Sequence, residues 1–184
     1  MNHRNPRILG YRLPAEWEPH AATWISWPKN KDTFPEKILP KVEETYCDIV
    51  EALRRYERVK IMIDDEEWIS IVEEKLEMHG VGTKGVDFRQ IKTVDVWVRD
   101  YGPTLIINHE NRLGGVKWIF NAWGGKYSDL AEDNDAGMKL LLDTGAEVFV
   151  SNIVLEGGAI DTNGEGLAIM TEESILNSNR NPGL

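Results

Sequence analysis

From residue 22 to residue 91 the chain alternates short apolar runs with amphipathic helical patterns, and this alternation restricts the fold more than any other feature. Residues 22–27 (ATWISW) alternate in polarity and stop at Pro28, as a strand does. From about 36 to 56, Ile38, Val42, Tyr46, Ile49 and Leu53 recur at spacings of four and three. With Leu39, Cys47 and Val50 in a stripe beside them, they predict one helix. Residues 59–63 (VKIMI) read as a buried strand. Asp64 and Asp65 offer N-cap chemistry for a second helix reaching His79, with Gly80 as its stop. Residues 86–91 are the next strand. Further on, 105–108 and 113–120 predict an antiparallel pair, 136–144 a helix ending at Gly145, and 148–150 and 153–155 two short strands. Residues 159–161 and 167–170 flank Thr162-Asn163-Gly164-Glu165, and Asn-Gly is a strong hairpin signal. The order β-α-β-α-β-β-β-α-β-β-β predicts an α/β or mixed chain with antiparallel pairs, and no Pro/Gly/Ser-rich linker divides it.

Charge narrows the partners. The 184 residues carry 31 Asp plus Glu against 21 Lys plus Arg, a net charge of −10, which argues against nucleic acid and anionic membrane surfaces. No apolar run approaches the ~20 residues that cross a bilayer. The first twenty residues contain no apolar h-region, so a secretory signal is not expected. A lone Cys47 excludes an intramolecular disulfide and a thiolate zinc site and fits a reducing compartment. A cytoplasmic protein is expected.

Chemistry concentrates in a few segments. In Asp95-Val96-Trp97-Val98-Arg99-Asp100-Tyr101-Gly102-Pro103-Thr104 two carboxylates, a guanidinium and an indole precede a Gly-Pro turn. Read as a strand, the segment puts Asp95, Trp97 and Arg99 on one face and leaves Asp100 where strand meets turn. Arg99 has Asp95 or another carboxylate within reach as a partner. Residues 121–127 (NAWGGKY) fail the Walker pattern, which wants Gly at Phe120 and Ser or Thr at Tyr127. They read equally as a tight loop under an aromatic and as a substrate wall. Glu156 follows an apolar strand and precedes Gly157-Gly158, whose backbone admits close approach. It is a general acid or base, a partner for a buried cation, or a solvated strand end.

His3, His20, His79 and His109 show no ligand spacing, and residues 129–137 lack the acids an EF-hand needs, so no metal site is expected. His79 suits a helix C-terminus, and Cys47 reads as a packed thiol. Residues 177–184 are turn-rich, either a solvated tail or a chain cut inside a larger protein.

Five segments occur in order: PAEWEPHAATWISWP (14–28), WVRDYGPT (97–104), NAWGGKY (121–127), LEGGAIDTNGEG (155–166) and NRNP (179–182). Together they closely resemble the agmatine deiminase family, grouped with bacterial-type peptidylarginine deiminases, from end to end of the chain. The resemblance implies a pentein-type α/β propeller with fivefold pseudosymmetry. Residues 1–184 would be the N-terminal part of that single domain, about half of the ring. It further implies a hydrolase of polyamine metabolism, on the route to putrescine, which turns agmatine and water into N-carbamoylputrescine and ammonia through a covalent thiol intermediate. No cofactor and no metal are expected. The family's catalytic His lies in an H-x-D motif a little beyond NRNP, and its nucleophilic Cys in a Gly-rich segment near the C-terminus. Neither motif occurs here, so Cys47 and His109 are not those residues and the isolated chain is expected to be inactive. By the same resemblance Asp100 binds the guanidinium nitrogens, and Glu156 binds the guanidinium and helps handle protons. Trp97 and Trp123 line the pocket, and Arg99 orients Asp100. The implied partner is a small cationic guanidino substrate, agmatine, and a homo-oligomer is expected. Two alternatives stand: a non-catalytic chain that binds guanidino compounds, and peptidylarginine deiminase activity in a full-length parent.

Overall fold

A computed structural model describes residues 5–184, so His3 lies outside the described residues. In chain order the elements are β1 (Tyr11–Arg12), β2 (Ala22–Ser26), α1 (Leu39–Leu53), β3 (Arg58–Ile63), α2 (Glu66–Met78) and β4 (Val86–Gln90). There follow α3 (Val98–Tyr101), β5 (Thr104–Asn108), β6 (Leu113–Ile119), α4 (Ala122–Gly125), α5 (Asp133–Asp143), β7 (Glu147–Val154), β8 (Asp161–Thr162), β9 (Ala168–Ile169) and α6 (Glu172–Leu176). The chain divides into two compact units, Pro19–Val98 and a second that joins the residues up to Glu18 to Arg99–Leu184.

The unit Pro19–Val98 is the predicted alternation made solid. β2, β3 and β4 form a parallel sheet, with Ala22 opposite Arg58 and Val59 opposite Val86. The parallel order follows because α1 and α2 each carry the chain back across the sheet. Helix α1 begins at Leu39, later than the periodicity suggests, with Pro40 in its first turn where no amide donor is required. Asp65 caps α2 by accepting the Trp68 amide at 3.2 Å, and Gly80 takes a φ of +75° just beyond its end. His79 stands at the α2 C-cap with its ring against Asp48. Trp27, Cys47, Val50, Val59, Ile61, Ile63, Val72, Leu76 and Val81 form the core. Cys47 is thus a packed thiol, which burial pushes above its ordinary pKa.

The second unit holds a mixed sheet in the order β1-β5-β6-β7. β5 and β6 pair antiparallel as expected, whereas β6 and β7 run parallel across α5. β7 is one strand rather than two: its register against β6 shifts between Lys117 and Ile119. That irregularity is what interrupts the sequence pattern near Ser151 and Asn152. β8 and β9 form the hairpin around Asn163-Gly164.

Residues 98–101 are a helical turn, not the strand that alternation suggests. Asp95 explains it. Its carboxylate accepts the Val96 amide at 2.7 Å and the Thr33 hydroxyl, at 2% exposure, and such local bonds compete with a strand ladder. Among the described residues, no helix is long and apolar enough to cross a membrane, and no group of three or more His, Cys, Asp or Glu could hold a metal.

Candidate active site

Asp100, Trp123, Glu156 and Arg180 all belong to the unit that contains Arg99–Leu184, and four chain segments converge to place them. The turn α3 presents Asp100, whose two oxygens are each held by one donor. The Trp123 indole donates to Oδ2 at 3.0 Å and the Gly158 amide to Oδ1 at 2.9 Å. A carboxylate fixed at both oxygens cannot swing, and each oxygen keeps a further lone pair for a ligand.

The Trp123 donor is aimed by an unusual backbone. Ala122, Trp123, Gly124 and Gly125 all have positive φ, so α4 is a single left-handed turn. For Ala122 and Trp123 that conformation costs about 1–2 kcal/mol each. Packing offsets the cost: Ala122 is wholly buried, and the Trp123 ring meets Phe120 and Tyr127 edge-on, with centroids 5.1 and 5.8 Å away. The Asn121 side chain accepts the Gly124 amide at 2.8 Å and closes the turn. The residue ahead of it is fixed from α5, where Asn134 Oδ1 accepts both the Phe120 amide at 2.9 Å and the Lys117 ammonium at 2.8 Å. Lys117 is 5% exposed, and burial pushes its pKa down to about 8.

Glu156 leaves the end of β7 at 4% exposure. Burial and an ion pair set aside the solvated strand end: Glu156 is the partner of a buried cation. The Arg180 Nε donates to Glu156 Oε1 at 2.6 Å, and that arginine side chain is 13% exposed. Among the described residues, Glu156 Oε2 makes no hydrogen bond. The two glycines after Glu156 serve this packing directly. A Cβ at Gly157 would strike the Arg99 carbonyl, and one at Gly158 would strike Asp100 Oδ1. They bring the Glu156 segment onto α3.

Residues 179–181 are therefore no solvated tail. Asn181, 8% exposed, donates from Nδ2 to the carbonyls of Val154 and Ile175 and accepts the Val154 amide, each at 2.9 Å. The Asn121 side chain donates to the Asn179 carbonyl at 2.9 Å. Arg180 and its asparagine clamps are members of the cluster that the sequence reading did not single out. The one available signal was a Glu at a strand end that required a cation.

Arg99 departs from expectation. It does not orient Asp100 by a hydrogen bond but makes a two-pronged pair with Glu16, both contacts 2.7 Å, at 62% side-chain exposure. Such an exposed pair contributes little, about 0–1 kcal/mol. Trp97, 45% exposed, belongs to the other compact unit, whereas Asp100, Trp123 and Glu156 share one.

Chemically, the cluster offers one partly exposed carboxylate with a net negative charge, and a second carboxylate already half engaged by an internal guanidinium. Planar, charge-assisted acceptors of this kind suit a planar cation with several N–H donors. The cluster brings no thiol.

A family described as Porphyromonas-type peptidyl-arginine deiminase matches residues 12–184 by its sequence model. The chain is 36% identical over 189 residues to the agmatine deiminase of Stutzerimonas stutzeri, covering 97% of this chain and 48% of that protein. It is 34% identical over 191 residues to the agmatine deiminase of Medicago truncatula, covering 97% and 49%. The chain spans about half the length of the curated relatives it matches. Among solved structures, the Enterococcus faecalis agmatine deiminase superposes with a TM-score of 0.86 at 26% identity, covering 100% of this chain and 50% of that one. A C. jejuni agmatine deiminase with substrate bound superposes with a TM-score of 0.79 at 30% identity, covering 95% and 49%.

Proposed function

Because the chain belongs to the Porphyromonas-type peptidyl-arginine deiminase family, we propose that it forms part of a hydrolase cleaving the guanidine C–N bond of agmatine. Its fold is the pentein-type α/β propeller, of which this chain carries about half the ring. The observation that carries the proposal is Asp100, a carboxylate clamped by the Trp123 indole and the Gly158 amide beside the Glu156 segment.

In this reading Asp100 takes N–H groups of the substrate guanidinium on its remaining lone pairs, and Glu156 takes another on Oε2. Trp123 lines the pocket. Ion pairing keeps the guanidinium protonated and its carbon electrophilic. A thiolate attacks that carbon, ammonia departs, and water hydrolyses the covalent intermediate, with Glu156 helping to move protons. In this reading the thiol and a histidine are supplied by residues outside 1–184, as the family's motifs imply, and Cys47 stays in the core. The product, N-carbamoylputrescine, has a neutral ureido group, so the attraction to both carboxylates falls away and favours release. In this reading the protein works in the cytoplasm as a homo-oligomer, and its net charge of −10 argues against a nucleic-acid or anionic membrane partner.

The test uses the complete protein that contains residues 1–184. It should release ammonia from agmatine, and Asp100→Asn and Glu156→Gln should each lower turnover roughly 10- to 100-fold, the equivalent of one charge-assisted contact. Turnover within twofold of wild type for either variant removes that residue from the site. Release from peptidyl-arginine instead of agmatine would favour the peptidylarginine reading. Binding of agmatine without ammonia would favour a non-catalytic guanidino-binding protein.

A further inference from the structure

A protein proposed to bind a guanidinium already contains one, seated on the carboxylate that would bind it. We infer that Arg180 is a positioning residue: its guanidinium is a permanent occupant of the inner side of Glu156, leaving only the outer oxygen to the substrate. This inference rests on the agmatine hydrolase reading and adds a residue to its machinery.

The seat is built for that group. Arg180 Nε donates to Glu156 Oε1 at 2.6 Å and Nη1 donates to Asn179 Oδ1 at 2.9 Å, so two acceptors meet one planar cation. The third wall is Gly124. Its φ is +78°, and a Cβ there would run into the Arg180 guanidinium and the Asn179 side chain. The backbone under the seat is anchored through Asn181 to Val154, two residues before Glu156, and through Asn179 to Asn121, three residues before Gly124. Ligand and seat thus move as one piece.

Two consequences follow for catalysis. With Oε1 committed, Glu156 cannot rotate to meet the substrate with either oxygen, and a bound guanidinium finds one acceptor at one position. The inner seat is also closed to the substrate itself. Without Arg180, the guanidinium of agmatine would fit the vacated space between Glu156 and Gly124, in a pose that no longer presents its carbon where the Asp100-bound pose does.

The experiment compares wild type, Arg180→Ala, Arg180→Lys and the double variant Arg180→Ala/Glu156→Gln in the complete protein, with folding followed by circular dichroism. Methylguanidinium at tens of millimolar is the probe. We expect it to inhibit wild type by competition, and to raise turnover of Arg180→Ala at least tenfold by filling the seat. Arg180→Ala alone should lose at least 30-fold in kcat/KM and show inhibition by excess agmatine. The double variant should show no rescue. Lysine keeps the charge without the in-plane Nε–H, so Arg180→Lys should fold with an unchanged melting temperature and still lose about tenfold. If Arg180→Ala does not fold, Arg180→Lys decides alone, and turnover within twofold of wild type overturns the inference. Equal inhibition of wild type and Arg180→Ala by methylguanidinium also overturns it.

The same probe separates the two readings. If wild type releases no ammonia from agmatine, the agmatine reading falls. The seat then stands or falls on whether methylguanidinium raises the melting temperature of Arg180→Ala but not that of the double variant.

Discussion

Asp100 owes its orientation to an indole, and a single substitution isolates that debt. In Trp123→Phe the ring contacts to Phe120 and Tyr127 survive while the 3.0 Å hydrogen bond to Oδ2 is lost. A donor to a charged group is worth about 1.5–3 kcal/mol, so kcat/KM for agmatine should fall roughly 10- to 100-fold. The melting temperature should stay within a few degrees of wild type. Unchanged kinetics would make Trp123 a wall and not a positioning donor. At this scale the grouping of Asp100, Glu156 and Trp123 was legible through segments that resemble one family, and the structure brings those segments together. Arg180 was not. Its partner lies 24 positions away, and nothing local distinguishes a buried arginine from a solvated one.

Elements were legible wherever burial on one face dominates. α1, α2 and the three parallel strands follow their apolar periods to within a few residues. The misread segments are those where side chains bond to nearby backbone. Asp95 turns the chain before α3, and the register shift opposite β7 breaks one strand into two apparent pieces. Asparagine at 121 closes a left-handed turn that no polarity pattern encodes. Support of that turn runs through Lys117, which makes a stability test possible. Burial lowers its pKa from 10.5 to about 8, against the opposing pull of Asp135. A depressed ammonium penalises folding while it must stay charged, so the penalty is present below about pH 8 and relieved as pH climbs toward 10.5. Lys117→Met has no such proton. Wild-type stability measured against Lys117→Met should therefore rise by about 3 kcal/mol between those limits. A pH-independent difference between the two would show that Lys117 is hydrated.

On the scale of the molecule, each compact unit has its own apolar cluster, yet among the described residues the four-stranded and three-stranded sheets both end in strands that pair on one side only. Among the described residues β7 pairs on one side only, with Val148 38% and Val150 59% exposed, and the β8–β9 hairpin shows Leu167, Ile169 and Met170 to solvent. Edges and apolar faces of this kind seek partners, and a net charge of −10 opposes association only weakly. Residues 1–184 made alone should self-associate, read by sedimentation velocity as species heavier than 21.0 kDa. A monodisperse monomer with one cooperative melt would contradict this.

The link between Glu156 and Arg180 also has a direction in time. A ribosome delivers the acid first and its counter-cation 24 positions later, an interval of roughly 1–5 s at about 5–20 residues per second. Throughout that interval β7 can pair with β6, already emerged, but Val154 lacks the asparagine that holds its end and Glu156 lacks its cation. The backbone around Glu156 is thus synthesised before the charge of that carboxylate is balanced, and Arg180 is the residue that balances it.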